Sequence, residues 1–465
     1  MFIGRKQELQ VFDRLYRTDH FECMVLYGRR RVGKTALLRT FIEGKAAIYF
    51  AGVESNERQN LENFSRAILE SVKGSPAGAT FTSFQSGLEF VFQRAEQERM
   101  VLIIDEYPYV ARSSPSLAST LQVLIDNYRD RSRLKLILCG SSMSYMEDEV
   151  LAYKSPLYGR GTAQMKLEPV DFFEACAFFP HFAAEDKAIA YGLAGGTPQY
   201  LLQIDDQLSV EENLKRMYLD PSSFLFEEPV NLLKQEVREP AIYNAIMTAV
   251  ANGANRLGEI ADRIGEETNT CSTYLKNMIA LESIEKETPY GEKAAKKTLY
   301  RIVDPMFYFW YHFIPENSSL IARGAAELAY QRISSQLNDY MGHIFEEICK
   351  QYLWRQLLAG QSPVLFVSLG RWWGSDPVTR RQEEIDIVGA QDKDVALFAE
   401  CKWRNELTDA GVLTTLVRRS RLLPYSKAYY YLFSKSGFTE GCIRMADELG
   451  NVTLVSFPEM FGKEV

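Results

Sequence analysis

Two hydrophobic patterns alternate through the first part of the chain. The uninterrupted apolar runs CMVLY, MVLIID and LKLILCG are separated by segments with apolar residues at three-to-four spacing. Uninterrupted runs between turn signals are typical of buried strands, and the wider spacing is typical of amphipathic helices. Strands that alternate with helices favour an α/β architecture. We therefore predict an α/β core over residues 1–166.

The pattern becomes helical further along. Residues 167–235 keep the three-to-four spacing, which predicts a lid-like helical region. Residues 236–320 predict three short helices and a charged hairpin, the layout of a winged helix-turn-helix. Its third helix is predicted over 270–281, with Thr268 or Asn269 as N-cap. The candidate DNA contacts are Ser272, Thr273, Lys276, Asn277, Lys293, Lys296, Lys297 and Arg301. A module that only packs within the chain, with a solvated hairpin, explains the same pattern equally well.

A second region with strands is predicted over residues 336–465. It opens with an amphipathic helix from Leu337 whose apolar arc is centred near Phe345. Glu346 lies at the rim of that arc, and Glu347 is expected on the far, solvated side. The candidate strands that follow are VLFVSLGRWWG, EEIDIVGA, DVALFAECKW, KAYYYLFSKSGF and NVTLVSF.

Composition and charge narrow the class of protein. The chain has 465 residues, 46% of them apolar and 25% charged, which is typical of a soluble protein of about three domains. The sequence shows neither a signal-peptide pattern nor an apolar run of ~18 residues, so we expect a cytoplasmic protein without membrane association. The seven cysteines lack C-x-x-C spacing, which argues against a zinc cluster or disulfide framework. Because the net charge is −8, a nucleic-acid surface would have to be a local basic patch.

The segment GRRRVGKT, Gly28 to Thr35, lies between the first predicted strand and a predicted helix. In that context, G-x-x-x-x-G-K-T spacing forms an anion cradle from backbone N–H groups and a helix N-terminus. Gly28 and Gly33 permit the turn. Lys34 is expected to reach the β- and γ-phosphates, and the Thr35 hydroxyl to bind Mg²⁺. The motif predicts binding of ATP with Mg²⁺.

Two acids and a serine follow the next strands. Asp105 is the expected outer partner of Mg²⁺, and Glu106 is the expected polariser of the attacking water. Ser141 either senses the γ-phosphate or only caps the next helix. The sequence does not decide between these two roles.

Charged residues interrupt two strands of the last region. Asp386 lies in EEIDIVGA, opposite in direction to Ile385, and Glu400 and Lys402 share one face of DVALFAECKW. A hairpin across GAQDKD brings the three charges together. Carboxylates gathered in this way repel each other and lose hydration, and both effects are unfavourable unless a cation neutralises the charge. Oxygen ligands of this kind suit Mg²⁺ or Mn²⁺.

Several segments together resemble a known ATPase family. GRKQELQVFDRLY, GRRRVGKT, VLIIDEYPYV, CGSSMSYME, SPLYGRGTAQMKLEP and GLAGGTPQYL are similar to the archaeal and bacterial ATPases of the AAA+-related STAND class, over residues 1–235. The resemblance implies that Arg160 stabilises charge on the transferred phosphoryl group, within one subunit or across a subunit interface. It also implies that Gly196, Thr197 and Pro198 contact nucleotide from the lid. An ordinary surface role is the alternative for Arg160.

The helix Glu, the strand Asp and the later E-x-K resemble the PD-(D/E)xK nuclease superfamily over residues 336–465. The resemblance implies that Asp386 and Glu400 hold the metal and that Glu346 assists from the helix. It further implies that Lys402 orients or activates the water that attacks phosphorus. Ile385 stands where the superfamily has Pro. Two alternatives remain, namely a structural Lys402–Glu400 ion pair and a nuclease fold that binds without cleaving.

The predicted fold is α/β and multidomain, with a P-loop NTPase core, a helical lid, a winged helix-turn-helix and a restriction-endonuclease-like α/β domain. The leading hypothesis is an ATP-binding and ATP-hydrolysing protein coupled to a metal-dependent DNA endonuclease-like domain. One alternative is a nucleotide-switched scaffold or signalling ATPase whose nuclease-like domain only binds DNA or protein. Another is an oligomeric ATP-driven remodeller in which Arg160 completes a neighbouring subunit's site. The expected partners are DNA and either a second copy of the chain or another protein.

Overall fold

The chain folds into two compact units. The computed structural model describes residues 2–72, 79–292 and 297–462. The first unit comprises residues 1–170 with 197–199, and the second comprises residues 171–196 with 200–465. The predicted winged-helix and C-terminal regions thus belong to the second unit, as does the predicted lid apart from residues 167–170 and 197–199. The boundaries between these regions stay predictions. No helix in the described ranges has the length and apolar character that a membrane span requires.

The first unit is built on a parallel sheet. Its elements are α1 (Lys6–Arg17), β1 (Glu22–Tyr27), α2 (Lys34–Ile42), β2 (Ala47–Ala51), α3 (Glu57–Glu70), α4 (Phe84–Gln97), β3 (Met100–Asp105), α5 (Tyr107–Ser113), α6 (Leu117–Tyr128), β4 (Leu134–Gly140), α7 (Met143–Tyr145) and β5 (Ala163–Lys166). The strand order is β2-β3-β4-β1-β5, and all neighbouring strands pair in parallel. The predicted α/β core is confirmed.

Burial on both faces explains the uninterrupted apolar strands. Every residue of β3 and β4 is buried. In β3, Leu102 and Ile104 face one hydrophobic cluster, whereas Val101 and Ile103 face the other. Because the strands are parallel, their carboxyl ends meet at one edge of the sheet, where α/β proteins bind ligands.

The remaining elements begin at residue 172. They are α8 (Phe172–Ala175), α9 (Ala184–Ala194), α10 (Pro198–Leu201), α11 (Val210–Tyr218), α12 (Glu228–Glu236), α13 (Pro240–Ala251), α14 (Leu257–Ile264), α15 (Thr268–Ala280), β6 (Ile284–Glu287), β7 (Leu299–Ile302), α16 (Pro305–Ala322), α17 (Ala326–Ser334), α18 (Leu337–Leu358), β8 (Gly370–Ser375), β9 (Gln382–Ala390), β10 (Val395–Lys402), α19 (Ala410–Ser420), β11 (Lys427–Ser434), α20 (Glu440–Leu449) and β12 (Val452–Ser456).

Three helices, α13 to α15, precede the antiparallel pair β6–β7. The prediction of Thr268 or Asn269 as the N-cap of α15 is wrong. Glu267 holds that position with an extended backbone, and its side chain makes no capping hydrogen bond. Of the basic residues predicted on the hairpin, Lys293 and Lys296 lie outside the described residues.

The second sheet is mixed, with strand order β12-β11-β10-β9-β8. β10, β11 and β12 pair in parallel, and β8, β9 and β10 pair antiparallel. The register between β8 and β9 shifts, because Gly370 lies opposite Val388 whereas Trp372 lies opposite Ile385. Three steps on β9 thus match two on β8, which is a β-bulge at Asp386. The simple alternation that the sequence predicts for β9 is interrupted there.

Tyr340, at the start of α18, holds two other helices of the second unit. Its buried hydroxyl lies 2.6 Å from the carbonyl oxygen of Gly192 in α9 and 2.9 Å from that of Pro305 in α16. A Cβ on Gly192 would lie 2.9 Å from the sulfur of Met341, so α9 and α18 approach closely at this glycine. The N-terminal end of α18 is therefore attached to α9 and α16.

Tyr340→Phe tests this anchor, because it removes the hydroxyl and keeps the ring. The carbonyl oxygens of Gly192 and Pro305 lose the one donor that they share, and we expect the free energy of unfolding to fall by about 1–2 kcal/mol. Denaturant unfolding followed by circular dichroism measures the change. The matched control is Tyr429→Phe on β11, a half-exposed tyrosine for which we expect less than about 0.5 kcal/mol. Equal losses in the two variants would contradict the anchoring role.

Candidate functional site

The loop between β1 and α2 requires its glycines. Gly28 has φ +150° and Gly33 has φ +94°, both disfavoured for side-chain-bearing residues. A Cβ on Gly28 would lie 2.4 Å from the carbonyl oxygen of Leu167, which leaves no room for any other residue. The loop therefore presents its backbone N–H groups at the N-terminus of α2, as an anion site needs.

Lys34 and Thr35 begin α2, and their side chains bind different parts of the first unit. The Lys34 ammonium donates to the carbonyl oxygens of Gly28 and Arg29, each at 2.8 Å, and its burial lowers its pKa. The Thr35 hydroxyl donates to Asp105 Oδ2 at 2.9 Å. The structure thus joins the loop to the acid that ends β3, as a nucleotide–cation site requires.

Glu106 and Ser141 contact each other at the same edge of the sheet. The Ser141 hydroxyl donates to Glu106 Oε2 at 2.9 Å, and its backbone N–H approaches the same oxygen at 3.3 Å. Glu106 has φ +50°, a left-handed conformation that is uncommon outside glycine. Ser142 is the N-cap of α7 and makes no side-chain cap, so the structure gives Ser141 a contact other than helix capping. Sensing of the γ-phosphate by Ser141 stays a prediction.

Three residues named by the family resemblance, Arg160, Thr197 and Pro198, lie in the first unit. The Pro198 Cγ is 3.7 Å from the position that a Cβ on Gly33 would take, which places Pro198 beside the nucleotide loop. The Arg160 guanidinium donates to Asp126 on α6 through Nε at 2.9 Å and Nη2 at 2.6 Å. The predicted role of Arg160 remains a prediction, and so does the predicted contact of Gly196, which belongs to the second unit.

The charged residues of β9 and β10 come together in the second unit. Asp386 Oδ2 accepts a hydrogen bond from the Cys401 backbone at 2.8 Å, and Lys402 donates to Glu400 Oε1 at 2.7 Å. Arg419 of α19 also reaches Glu400 Oε1, at 3.4 Å. Within the described residues, the buried Glu400 Oε2 has no hydrogen-bond partner.

Burial and mutual repulsion shift these acids strongly. Burial, followed by the charge of Asp386, raises the pKa of Glu346 to about 8. The same two causes raise the pKa of Glu400 to about 7, against the effect of Lys402 and Arg419. Although burial opposes it, the neighbouring carboxylates of Glu400 and Asp386 raise the pKa of Lys402. The charge of Asp386 thus contributes to the raised pKa of both Glu346 and Glu400.

The expected solvent exposure of Glu347 is wrong. Its carboxylate is half-buried and pairs with Arg301 of β7 at 3.3 Å and Lys350 at 3.8 Å. The helical wheel of α18 could not show this, because the sequence does not reveal that the β6–β7 hairpin packs on that face. Arg301, expected to meet DNA phosphates, is held by Glu347 and Glu285.

A preformed metal cluster is not present in the described residues. They contain no group of three or more His, Cys, Asp and Glu side chains arranged to hold a metal ion. Asp386 and Glu400 lie on β9 and β10 beside Lys402, whose pKa is raised, and Glu346 lies on α18.

Two contacts were not predicted from the sequence. Arg419 of α19 donates to Glu383 at 2.8 Å and to Glu400 at 3.4 Å. Tyr49 on β2 donates to Asp105 Oδ2. A tyrosine in an apolar strand gives no local signal of such a contact, and only the pairing of β2 with β3 could have indicated it.

Comparison with known proteins assigns the family. The profile of an ATPase domain predominantly from Archaea matches residues 2–204. The profile of archaeal and bacterial proteins of unknown function matches residues 310–413, which contain the carboxylates and lysine described above. The uncharacterized protein MJECL04 of Methanocaldococcus jannaschii is 35% identical over 443 residues, which are 94% of this chain and 96% of that one. The chain belongs to this archaeal ATPase family.

A solved structure supports the fold of this family member. The Walker-type ATPase paby2304 of Pyrococcus abyssi matches with a TM-score of 0.50 and 20% identity, over 67% of this chain and 96% of that chain. This likeness confirms a multidomain α/β protein with a P-loop NTPase-like core. The STAND class, the winged helix and the nuclease-like domain stay predictions.

The raised pKa of Glu346 predicts how the stability of the protein varies with pH. Its folded pKa of about 8 exceeds the ordinary value of 4.5, so the folded state holds the proton more tightly. That contribution is fully present below about pH 4.5 and is lost as the pH rises through about 8. Glu346→Gln cannot ionise, so its stability relative to wild type should rise between pH 5 and pH 9, on the order of 2 kcal/mol. Thermal unfolding at several pH values measures this.

The neighbouring Glu347→Gln is the control. Although burial opposes it, Lys350 and Arg301 hold the pKa of Glu347 below its usual range. Its charged form is therefore stabilising above about pH 4.5, and the variant should be less stable than wild type at pH 5 and at pH 9. A Glu346→Gln profile parallel to wild type would show that Glu346 is not protonated in the folded state.

Proposed function

We propose that the P-loop ATPase unit binds ATP with Mg²⁺ and that its turnover controls DNA processing by the C-terminal domain. For the nucleotide site, the carrying observation is the Thr35–Asp105 hydrogen bond, which spans 70 positions of sequence. In this proposal Thr35 and Asp105 would hold Mg²⁺. The cation would neutralise phosphate charge.

In this proposal, the side chains at the carboxyl edge of the first sheet have different roles. Lys34 and the loop backbone bind phosphate oxygens. Glu106 polarises the attacking water, and Ser141 orients the Glu106 carboxylate through the 2.9 Å hydrogen bond. Pro198 packs against Gly33 and so fixes the loop. Arg160 lies on the surface next to Asp126, where a second copy of the chain could compete for it.

Lys34→Ala and Glu106→Gln should separate binding from hydrolysis. Lys34→Ala removes a phosphate contact, so we expect weaker nucleotide binding and loss of ATPase activity. Glu106→Gln keeps the shape of the side chain and removes the base, so we expect binding within about threefold of wild type and hydrolysis lowered about 10²-fold. Lys6→Ala, an exposed lysine of α1, is the control for loss of a positive charge. Normal hydrolysis by Glu106→Gln would refute the assigned role.

For the second unit, we propose metal-dependent cleavage of phosphodiester bonds in DNA. The carrying observation is Glu400 Oε2, which is buried without a hydrogen-bond partner among the described residues, beside the charged Asp386. This donor set suits a hard divalent cation such as Mg²⁺ or Mn²⁺, held by Asp386 and Glu400. Such a cation would act as a Lewis acid and lower the pKa of a bound water. Lys402 would orient that water, and Glu346 would hydrogen-bond from α18.

DNA would approach through the winged-helix arrangement that we propose for α13–α15 and β6–β7. The exposed side chains of Thr273 and Lys276 lie on α15. Arg301 cannot serve in the proposed manner while Glu285 and Glu347 hold it. Contacts from α15 to the phosphate backbone of DNA are therefore favoured over contacts from the β6–β7 hairpin.

Binding without cleavage is the second candidate function of this domain. The observation that favours it is that Glu400 Oε1 already accepts from Lys402 and Arg419, which stabilises the carboxylate without a metal. In that case the ATPase would act as a nucleotide-controlled scaffold for DNA or protein.

Lys402→Ala distinguishes the two functions. Wild type should nick or cut supercoiled, linear or single-stranded DNA with Mg²⁺ or Mn²⁺, and Lys402→Ala should reduce cleavage at least about 10²-fold. Lys393→Ala, on the exposed turn of the same hairpin, should retain full cleavage. Lys34→Ala in parallel shows whether ATP controls the reaction. Absence of cleavage by wild type together with intact DNA binding would refute the nuclease proposal and favour the scaffold.

A further inference from the structure

Tyr49 reaches the nucleotide site from a strand that carries none of its motif residues. It lies in β2, where the parallel register pairs Tyr49 with Ile103 and Ala51 with Asp105. Side chains two positions apart on a strand share a face, so Tyr49 and Asp105 project to the same side of the sheet. That side is the hydrophobic cluster that also contains Leu37 and Phe41 of α2.

Asp105 is held through both of its carboxylate oxygens. Oδ1 accepts from the Glu106 backbone N–H at 3.0 Å. Oδ2 accepts from the Thr35 hydroxyl at 2.9 Å and from the Tyr49 hydroxyl. Two hydroxyl donors therefore converge on one oxygen of a carboxylate that is only 4% exposed.

The Tyr49 ring is itself fixed. The guanidinium of Arg39 on α2 lies 5.2 Å from the ring centroid, which is within the range of a cation–π contact. Burial, followed by the hydrogen bond to Asp105, raises the pKa of Tyr49, so its hydroxyl keeps its proton and remains a donor at neutral pH. Tyr49 thus supplies Asp105 with a hydroxyl donor from β2.

Thr35 donates to the same carboxylate oxygen. If the Thr35 hydroxyl oxygen binds Mg²⁺, as proposed above, its O–H remains available for Asp105 Oδ2. The Tyr49 hydroxyl is a second donor to that oxygen, and it comes from β2, which carries neither of the proposed Mg²⁺ ligands. A hydrogen bond to a charged group contributes more than one between neutral groups, and its loss lets the carboxylate rotate.

We infer that Tyr49 is a positioning residue of the ATPase site, which orients the Asp105 carboxylate toward the Mg²⁺–nucleotide complex. This inference rests on the proposed magnesium role of Asp105. It concerns binding of the cation–nucleotide complex, and nucleotide without a cation should be bound independently of Tyr49.

Tyr49→Phe removes only the hydroxyl and keeps the ring under Arg39. Titration calorimetry with a non-hydrolysable ATP analogue, in Mg²⁺ and in EDTA, tests the full chain. We expect affinity in EDTA within about twofold of wild type and affinity in Mg²⁺ weakened about 5- to 10-fold. The Mg²⁺ concentration for half-maximal ATPase activity should rise in the same proportion. Tyr16→Phe, whose ring lies against Phe41 in the same cluster, should match wild type in every measurement.

A double-mutant cycle with Asp105→Asn separates positioning from general packing. If Tyr49 acts through Asp105, then Tyr49→Phe causes no further loss of Mg²⁺-dependent affinity in the Asp105→Asn background. The same loss in both backgrounds, or wild-type affinity of Tyr49→Phe in Mg²⁺, would overturn the inference. Wild-type binding that is indifferent to Mg²⁺ would instead remove the magnesium role of Asp105, and the inference with it. Mg²⁺-dependent wild-type binding with an unaffected Tyr49→Phe overturns the inference alone.

Discussion

Parallel pairing of β1, β3 and β4 is the constraint on which the nucleotide site depends. It brings the end of each strand to one edge, so that a loop near residue 30, an acid at residue 105 and a serine at residue 141 become neighbours. β3 and β4 are fully buried, and the polar side chains at this edge bond to each other. The Thr35–Asp105 and Ser141–Glu106 contacts are the result. Catalytic and structural demands coincide there, because the same hydrogen bonds that satisfy buried acids also orient them.

The second unit buries three acidic side chains close to one another. Asp386, Glu400 and Glu346 are removed from water together, and the two glutamates respond with raised pKa values. Lys402 and Arg419 supply part of the missing positive charge to Glu400, but one of its oxygens keeps no hydrogen-bond partner among the described residues. Structural ion pairs also shift pKa values, so perturbation alone does not establish catalysis. The combination of an unsatisfied carboxylate oxygen with repelling neighbours is what favours a cation at this place.

The β6–β7 hairpin is bound into the second unit by charge and by backbone contacts. Arg301 links β6 and β7 to α18 through Glu285 and Glu347, and Arg371 of β8 pairs with Glu287 at 3.1 Å. The Tyr290 backbone N–H also donates to the Arg371 carbonyl oxygen at 2.9 Å, next to the outer strand of the sheet. An outer strand presents unpaired backbone groups, and a docked hairpin covers some of them. One face of the β6–β7 hairpin therefore packs against α18 and β8.

The sequence by itself determined the features that depend on local order along the chain. The alternating strands and helices predicted the α/β core. The spacing of GRRRVGKT, the apolar run that ends at Asp105 and the charges of EEIDIVGA and DVALFAECKW singled out Lys34, Thr35, Asp105, Asp386 and Glu400. Tertiary structure decided which side chains meet across elements. Tyr49 on Asp105, Arg419 on Glu400 and Arg301 on Glu347 join residues 56, 19 and 46 positions apart. The β-bulge at Asp386 likewise follows from the pairing of β8 with β9. Periodicity reports which face of an element is apolar, but strand register and helix docking decide what that face contacts.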